Sequence, residues 1–324
     1  MKTTCLINNF NYKDYVCEAI ASALSQTHPF DEIIVVDDAS TDGSDLILQE
    51  QYGQNPHVKI IIHPHNQGQL AAVTTGFLGS TGDIIFFLDA DDFYHPQYLE
   101  IALKIYRERP NCGFLYCQMG IFSKGKENYQ APTEVQISQY QNYLNDCGYS
   151  IILAMEMQRF VGSPSSGNSM QRKYLSDILP CTCIGNYRIW ADTYFVIASS
   201  ILGAHKFLIN LPLVAYRVHD KNIFYGNSIT KDRFKVYQDQ LAIVQFITFL
   251  SQKMNYNRLL LTRNAPYEFK TIDYPNWDLF FDYLKIMLRT PASIPFTPNG
   301  RLSKLHGFAV MFKHILSFKN RSKR

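Results

Sequence analysis

No run of about 18 apolar residues occurs in this 324-residue chain, so the sequence offers no transmembrane helix. A strand pattern begins within a few residues of the N-terminus, which leaves no room for a signal peptide. Charge of one sign is scarce overall. The formal net charge is only +3, which does not point to nucleic acid. No internal repeat is visible. The seven cysteines (5, 17, 112, 117, 147, 181 and 183) lack the spacing of a disulfide framework. An odd count without a secretory signal reads as reduced thiols in the cytosol. Cys181-Thr182-Cys183 is too sparse for a zinc site unless distant ligands join it. In His63-Pro64-His65 the proline and the loop position favour a solvated turn.

What is present begins with ordinary globular composition, 46% apolar, and a length that suggests about two domains. Residues 83–92 read Asp-Ile-Ile-Phe-Phe-Leu-Asp-Ala-Asp-Asp. Ile84 to Leu88 are wholly apolar, as a strand buried on both faces should be. Asp89, Asp91 and Asp92 follow at its carboxyl end. Carboxylates so close repel one another, which favours a cation between them. Mg²⁺ uses one or two carboxylates plus substrate phosphates. Read alone, the same acids also suit a solvated turn capping the helix that starts near Pro96.

The context favours a shared site. Residues 33–45 form a second buried strand ending in acids, then Ser/Thr/Gly turn chemistry and a helix start. Residues 4–12 end another strand in polar residues, and 58–62 give a fourth strand. In an open parallel sheet, ligands sit outside the carboxyl ends of the strands. The pattern predicts strands near 3–9, 32–37, 58–62 and 83–88. Helices are expected near 13–25, 43–51, 69–79 and 96–108. That alternation gives an α/β fold with both sheet faces covered. A strand is expected near 112–121, then a polar, lid-like excursion over 123–145. A helix follows near 147–157, a Gly/Ser/Pro stretch at 161–169, a helix near 190–202 and a strand near 207–218. From about 229 the pattern is helical, with Pro-rich interruptions at 292–298.

The ordered motifs resemble those of family-2 glycosyltransferases, inverting enzymes of the GT-A fold. They are Asn-Asn-Phe-Asn-Tyr, Val-Val-Asp-Asp-Ala-Ser-Thr-Asp-Gly-Ser, Asn-Gln-Gly-Gln and Leu-Asp-Ala-Asp-Asp, followed by Ser-Gly-Asn, Trp-Ala-Asp-Thr-Tyr and Tyr-Arg-Val-His. The likeness covers about residues 1–220. It implies a GT-A, Rossmann-like, mostly parallel domain over 1–225, with a nucleotide-binding half at 1–110 and an acceptor half at 111–225. Residues 226–324 would be a helical C-terminal extension.

The resemblance also implies roles. Phe10, where the family commonly has tyrosine, would stack on the uracil of a UDP-sugar or sit in the core. Asn8 would touch the base edge, and Asp38 would accept the base's ring N–H. Asp37 would reach the ribose or cap a helix. Asp91 and Asp92 would hold Mg²⁺ or Mn²⁺, with Asp89 toward the ribose or the metal. His219 would be a further metal or phosphate ligand, or a structural histidine. Arg217 would serve the diphosphate or a helix end. Gly68 and Gln69 match a loop near the donor. Ser166, Gly167 and Asn168 match the loop under the sugar. Trp190 would line the acceptor pocket or sit in the core. Asp192 would be the catalytic base, or an acid placed at a helix N-terminus.

The implied activity is a metal-dependent, inverting transfer of the hexosyltransferase type. The donor is a nucleotide sugar, UDP-linked by the likeness, and the acceptor a glycan or lipid-linked hydroxyl. Nucleotidyl transfer would use a Gly-rich, Lys/Arg-bearing loop after the first strand, and Asn-Asn-Phe-Asn-Tyr stands there instead. A non-catalytic scaffold would not need the retained acids and Asp192. Finally, residues 301–324 carry seven Lys/Arg and no acid. Leu305, Phe308, Phe312, Ile315 and Leu316 fall on one helical face. This tail suits either a peripheral contact with the inner face of a membrane or docking on the core.

Overall fold

The computed structural model describes residues 1–123, 125–180, 191–220, 222, 233–289 and 300–321. The first half alternates β1 (Thr3–Asn9), α1 (Lys13–Leu24), β2 (Glu32–Asp37), α2 (Ser44–Tyr52), β3 (Val58–Ile62), α3 (Gln69–Leu78) and β4 (Ile84–Asp89). Then come β5 (Phe93–Tyr94), α4 (Tyr98–Glu108), β6 (Cys112–Ser123), α5 (Glu134–Ser138) and β7 (Leu144–Gly148). Next are α6 (Ile151–Met157), β8 (Asn168–Gln171), α7 (Arg172–Ser176), α8 (Ala191–Ile201) and β9 (His205–Val218). Five further helices follow: α9 (Arg233–Lys253), α10 (Arg258–Arg263), α11 (Ala265–Phe269), α12 (Trp277–Arg289) and α13 (Gly300–Arg321).

The strands join in one nine-stranded sheet, ordered β3-β2-β1-β4-β8-β6-β9-β5, with β7 also paired to β9. The β3, β2, β1 and β4 ladders are parallel, and so is β6 with β9. Only β8, between β4 and β6, and the edge pieces β5 and β7 run antiparallel. β4 shows why an unbroken apolar run was needed. Ile84, Phe86 and Leu88 enter one core with α1 and α4. Ile85 and Phe87 enter a second with α3 and α8. Alternate side chains of a strand point to opposite faces, so a strand covered on both sides has no polar position to spare.

Several elements depart from the sequence expectation: β5, β8 and α7 were not anticipated, and β8 begins inside the stretch read as Gly/Ser/Pro loop. The excursion after β6 is folded: Ile137 and Tyr140 are buried in the first core, and the chain returns as β7. The helix expected from 147 starts at Ile151, because residues 144–148 pair with β9 instead. The helix expected from 190 is described from Ala191. Trp190, Cys181, Cys183 and the Pro-rich stretch at 292–298 lie outside the described residues.

The C-terminal helices are packed onto the α/β layer. Phe246, Ile247 and Leu250 of α9 join the second core. Phe269, Phe280, Tyr283, Met311 and Ile315 form a third core with Ile152 and Leu153 of α6. The buried Glu268 accepts the Ile152 N–H at 3.0 and 3.1 Å and the Tyr283 hydroxyl at 2.8 Å. A carboxylate from α11 thereby satisfies an orphan donor at the start of α6.

Candidate active site

The carboxyl ends of β1, β2 and β4 open into one cavity of about 400 Å³. Asn8 and Phe10 come from the end of β1, Asp38 from the end of β2, and Asp89 and Asp91 from the end of β4. Gly68 and Gln69 at the start of α3 and Asp192 in the first turn of α8 complete the group anticipated from sequence. Phe10 is 43% exposed and lines the cavity, so it is not a core residue. Asn9, Tyr12, Asn66, Pro164, Ser165, Tyr216 and Asn222 also line it.

Asp38 is 2% exposed and is held by three donors. Oδ1 accepts from His63 Nδ1 at 2.7 Å and from the Gln67 N–H at 2.9 Å. Oδ2 accepts from the Gly68 N–H at 2.7 Å. A carboxylate has about four lone-pair positions. One on Oδ2 therefore remains for a ligand donor. Gly68 makes this clamp at φ +91°, a backbone conformation that favours glycine. His63 also reaches Thr75 Oγ1 through Nε2, at 2.9 Å. The solvated turn expected at 63–65 is thus corrected for His63, which is buried because Asp38 needs its N–H. Strand β3 ends at Ile62, so the strand-end rule that flagged the acids would have flagged this histidine too.

Asp37 does not reach the cavity. It is fully buried and accepts from Asn9 Nδ2 at 2.6 Å, the Ser40 N–H at 2.9 Å and Ser40 Oγ at 2.6 Å. It fastens the β2 turn to β1. Asn8 Oδ1 and Asn9 Oδ1 are buried without a hydrogen-bond partner among the described residues. Both side chains line the cavity, and buried polar atoms left unpaired are costly unless a ligand or water meets them.

The acidic cluster divides by direction. Asp89 and Asp91 face the cavity. Asp92 is 2% exposed and turns inward: Oδ1 accepts the Arg217 N–H at 3.1 Å and Oδ2 accepts Ser166 Oγ at 2.6 Å. Ser166 Oγ in turn receives the Asp89 N–H at 3.0 Å. Ser166 is therefore a fully buried brace between two loops, and its neighbours Pro164 and Ser165 present themselves to the cavity. Asn168 is likewise internal, bonding Ser163 in both directions and the Pro164 carbonyl. Arg217 is buried between Tyr15, Phe93 and Phe122. Its Nε donates to the Asp91 carbonyl at 3.0 Å, and its far nitrogen pairs with Glu18. It supports the acidic loop from behind and does not line the cavity.

His219 stands beside Asp91, with Nε2 3.0 Å from Oδ2. Asn222 Nδ2 reaches the same oxygen at 3.3 Å. The imidazole stacks on Tyr15 with centroids 5.0 Å apart and meets Tyr12 edge-on at 5.5 Å. Burial and the neighbouring Asp91 charge push Asp89 up to about 7, against hydrogen bonds from Asn8 and Gln69. Burial, then Asp91 and Asp89, push Asp92 well above the carboxylate range. Burial raises Asp192 as well, partly offset by the Thr193 N–H at 2.6 Å. Burial and the same acids raise the Tyr12 and Tyr216 phenols. Four acids thus line the cavity, and no Lys or Arg stands among its described lining residues. The carboxylate oxygens of Asp89 and Asp91 suit a hard divalent cation of the Mg²⁺ or Mn²⁺ type, and the imidazole nitrogen of His219 beside Asp91 adds a softer donor that suits Mn²⁺ better than Mg²⁺. Among the described residues no group of three such side chains is already close enough to enclose an ion. A second ligand source, such as a diphosphate, would complete the shell.

A mostly parallel sheet crossed by an antiparallel β8, with acids at the β4 rim, is the arrangement of the GT-A fold. The chain belongs to glycosyl transferase family 2, whose profile matches residues 4–179. An uncharacterized glycosyltransferase of Nostoc sp. (strain PCC 7120) is 31% identical over 283 residues, 86% of this chain and 85% of its own length. Chondroitin synthase of Escherichia coli is 35% identical over 107 residues, 33% of this chain and 16% of that protein. Among solved structures, residues 1–349 of S. aureus TarS in complex with UDP-GlcNAc share the fold, with a TM-score of 0.54 and 15% identity. That match covers 98% of this chain and 92% of the other. No helix of the described residues is long and apolar enough to cross a membrane.

Proposed function

We propose that this glycosyltransferase moves a sugar from a UDP-linked donor to an acceptor hydroxyl, with inversion and with Mg²⁺ or Mn²⁺. The observation that carries this reading is the single cavity in which Asp38, Asp89, Asp91 and Asp192 meet. The TarS complex with UDP-GlcNAc supports the donor class by fold likeness. Phe10 supplies an open ring face for the base, and the remaining lone pair of Asp38 suits the uracil N3–H. Asp91 and His219 would hold the metal, with Asp89 beside them. Asp92, turned away, keeps their loop in place. When bound, the metal supplies Lewis-acid stabilisation of the departing diphosphate.

Asp192 acts as the base. Its raised affinity for a proton suits it to take one from the acceptor hydroxyl. The acceptor oxygen forms a bond to the anomeric carbon as the bond from that carbon to the diphosphate oxygen breaks. The proton ends on Asp192 and the electron pair on the leaving diphosphate. The product class is a surface polysaccharide or a lipid-linked glycan. A thermal-shift screen of nucleotide sugars with and without Mn²⁺ tests the reading, because ligands of the native state raise its apparent stability. Metal-dependent stabilisation by a UDP-sugar, lost in Asp91→Ala, is the expected result. Donor binding that persists in EDTA contradicts it.

A further inference from the structure

Helix α13 packs with one stripe and exposes another. Gly307, Met311 and Ile315 recur every four residues and are buried. A Cβ on Gly307 would meet Pro266 and Met287, so this stripe lies hard against α11 and α12. The next stripe is turned by about 100°. It holds Leu305, Phe308, Phe312 and Leu316, which stay 66%, 38%, 38% and 40% exposed. On α12 the division repeats. Phe280, Tyr283, Ile286 and Met287 are buried, while Phe281 and Leu288 are exposed.

The two outward stripes meet. The Trp277 ring lies 6.2 Å from Phe281 and 6.3 Å from Phe312, and Phe312 stacks on Phe308 at 5.6 Å. Phe280 supports all three phenylalanines from beneath. A continuous exposed aromatic surface on two helices marks an interaction site.

Its rim is basic. Lys313 borders the groove of Phe308, Phe312 and Leu316, and Lys285 borders that of Phe281 and Leu288. In sequence, residues 301–324 carry seven Lys/Arg, Lys313 among them, and no acid. The acids lining the second groove are Asp278 and Asp282. Asp282 pairs with Arg159 and with Lys285, each at 3.6 Å, so the excess positive charge comes from Lys313 and the basic composition of 301–324. A second copy docked face to face would set this positive rim against itself. An anionic bilayer satisfies both features: Phe and Leu enter its headgroup–acyl boundary, Trp sits at the interface, and Lys/Arg meet the headgroups.

We propose that the α12–α13 face is a monotopic docking surface for an anionic lipid bilayer, with Phe281, Phe308, Phe312 and Leu316 as the inserting side chains. Such docking would bring the enzyme to a lipid-borne acceptor. It is independent of the nucleotide-sugar reading, since none of these residues lines the cavity.

The test is co-sedimentation of the full chain with vesicles of phosphatidylcholine alone or mixed equally with phosphatidylglycerol. Binding is expected to the mixed vesicles only, and to weaken with salt. Phe308→Ser with Phe312→Ser should lower partitioning at least about tenfold. Melting temperature and donor binding, measured alongside, should hold. If that pair fails to fold, Lys313→Glu carries the test, because Lys313 is exposed and its reversal should still weaken binding to anionic vesicles. Absence of binding to either vesicle overturns the inference. So does binding that both variants leave unchanged. A dimer in solution that Phe312→Ser dissolves, with no vesicle binding, assigns the face to self-association and also overturns it.

Discussion

Metal binding at the β4 rim should be linked to a proton on Asp89. With Asp89 at about 7, the apo site is mostly protonated below that pH and mostly charged above it. A cation needs the charged form, so one proton must leave when it binds. For a single linked proton the apparent dissociation constant grows as one plus the ratio of proton concentration to acidity constant. From pH 8 to pH 6 that factor rises about tenfold, worth roughly 1.4 kcal/mol. The assay is calorimetry of Mn²⁺ with UDP at pH 8, 7 and 6, for the wild type and for Asp89→Asn. UDP also titrates in this window, but it does so with both proteins. The gap between the two proteins in log Kd should therefore shrink by about one unit from pH 8 to pH 6. Parallel profiles with a constant gap would falsify the linkage. The stability of the apo protein should carry the opposite signature. Asp89 is raised above its unfolded value of about 3.9, so its contribution is fully present below that pH and is lost as pH rises through about 7. Added Mn²⁺ and UDP should restore melting temperature above pH 7 far more than below it.

Other expectations are more local. Asp192→Asn should keep donor affinity and lower kcat at least about a hundredfold, and unchanged turnover removes it from the mechanism. Phe10→Ala should weaken UDP by about 1–3 kcal/mol through lost stacking, read by calorimetry. His63→Leu removes a donor from the buried Asp38 and should reduce stability by about 1.5–3 kcal/mol while weakening UDP more than inorganic pyrophosphate; equal losses for the two ligands would separate His63 from base recognition. Glu268→Ala strips the Ile152 N–H and the Tyr283 hydroxyl of their acceptor and should lower stability by about 1–3 kcal/mol in urea unfolding, with kcat unchanged.

The sequence by itself determined the parallel core and the rim where chemistry sits. Buried strands such as Ile84–Leu88 and Ile33–Val36 are short apolar runs bounded by turn residues, and those signals are local. Asp89 and Asp91 were legible as acids at a strand end, but their shared direction was not: they flank a turn after β4 in which the Asp92 N–H bonds the Asp89 carbonyl at 3.1 Å. Tertiary structure alone decided what each neighbouring polar residue does. Asp92, Ser166, Asn168 and Arg217 bear the same polar chemistry as the cavity residues, yet they point into the protein. Their directions follow from the β8 loop packing on the β4 loop, and from an arginine on β9 reaching Glu18 on α1. Such partners are 74 and 199 residues apart in the chain. No periodicity records a meeting at that distance. In the same way, helical spacing marked Phe308, Phe312 and Ile315 as one face. The choice of Met311 and Ile315 for the core, with Phe308 and Phe312 left outside, was made by the shape of α11 and α12.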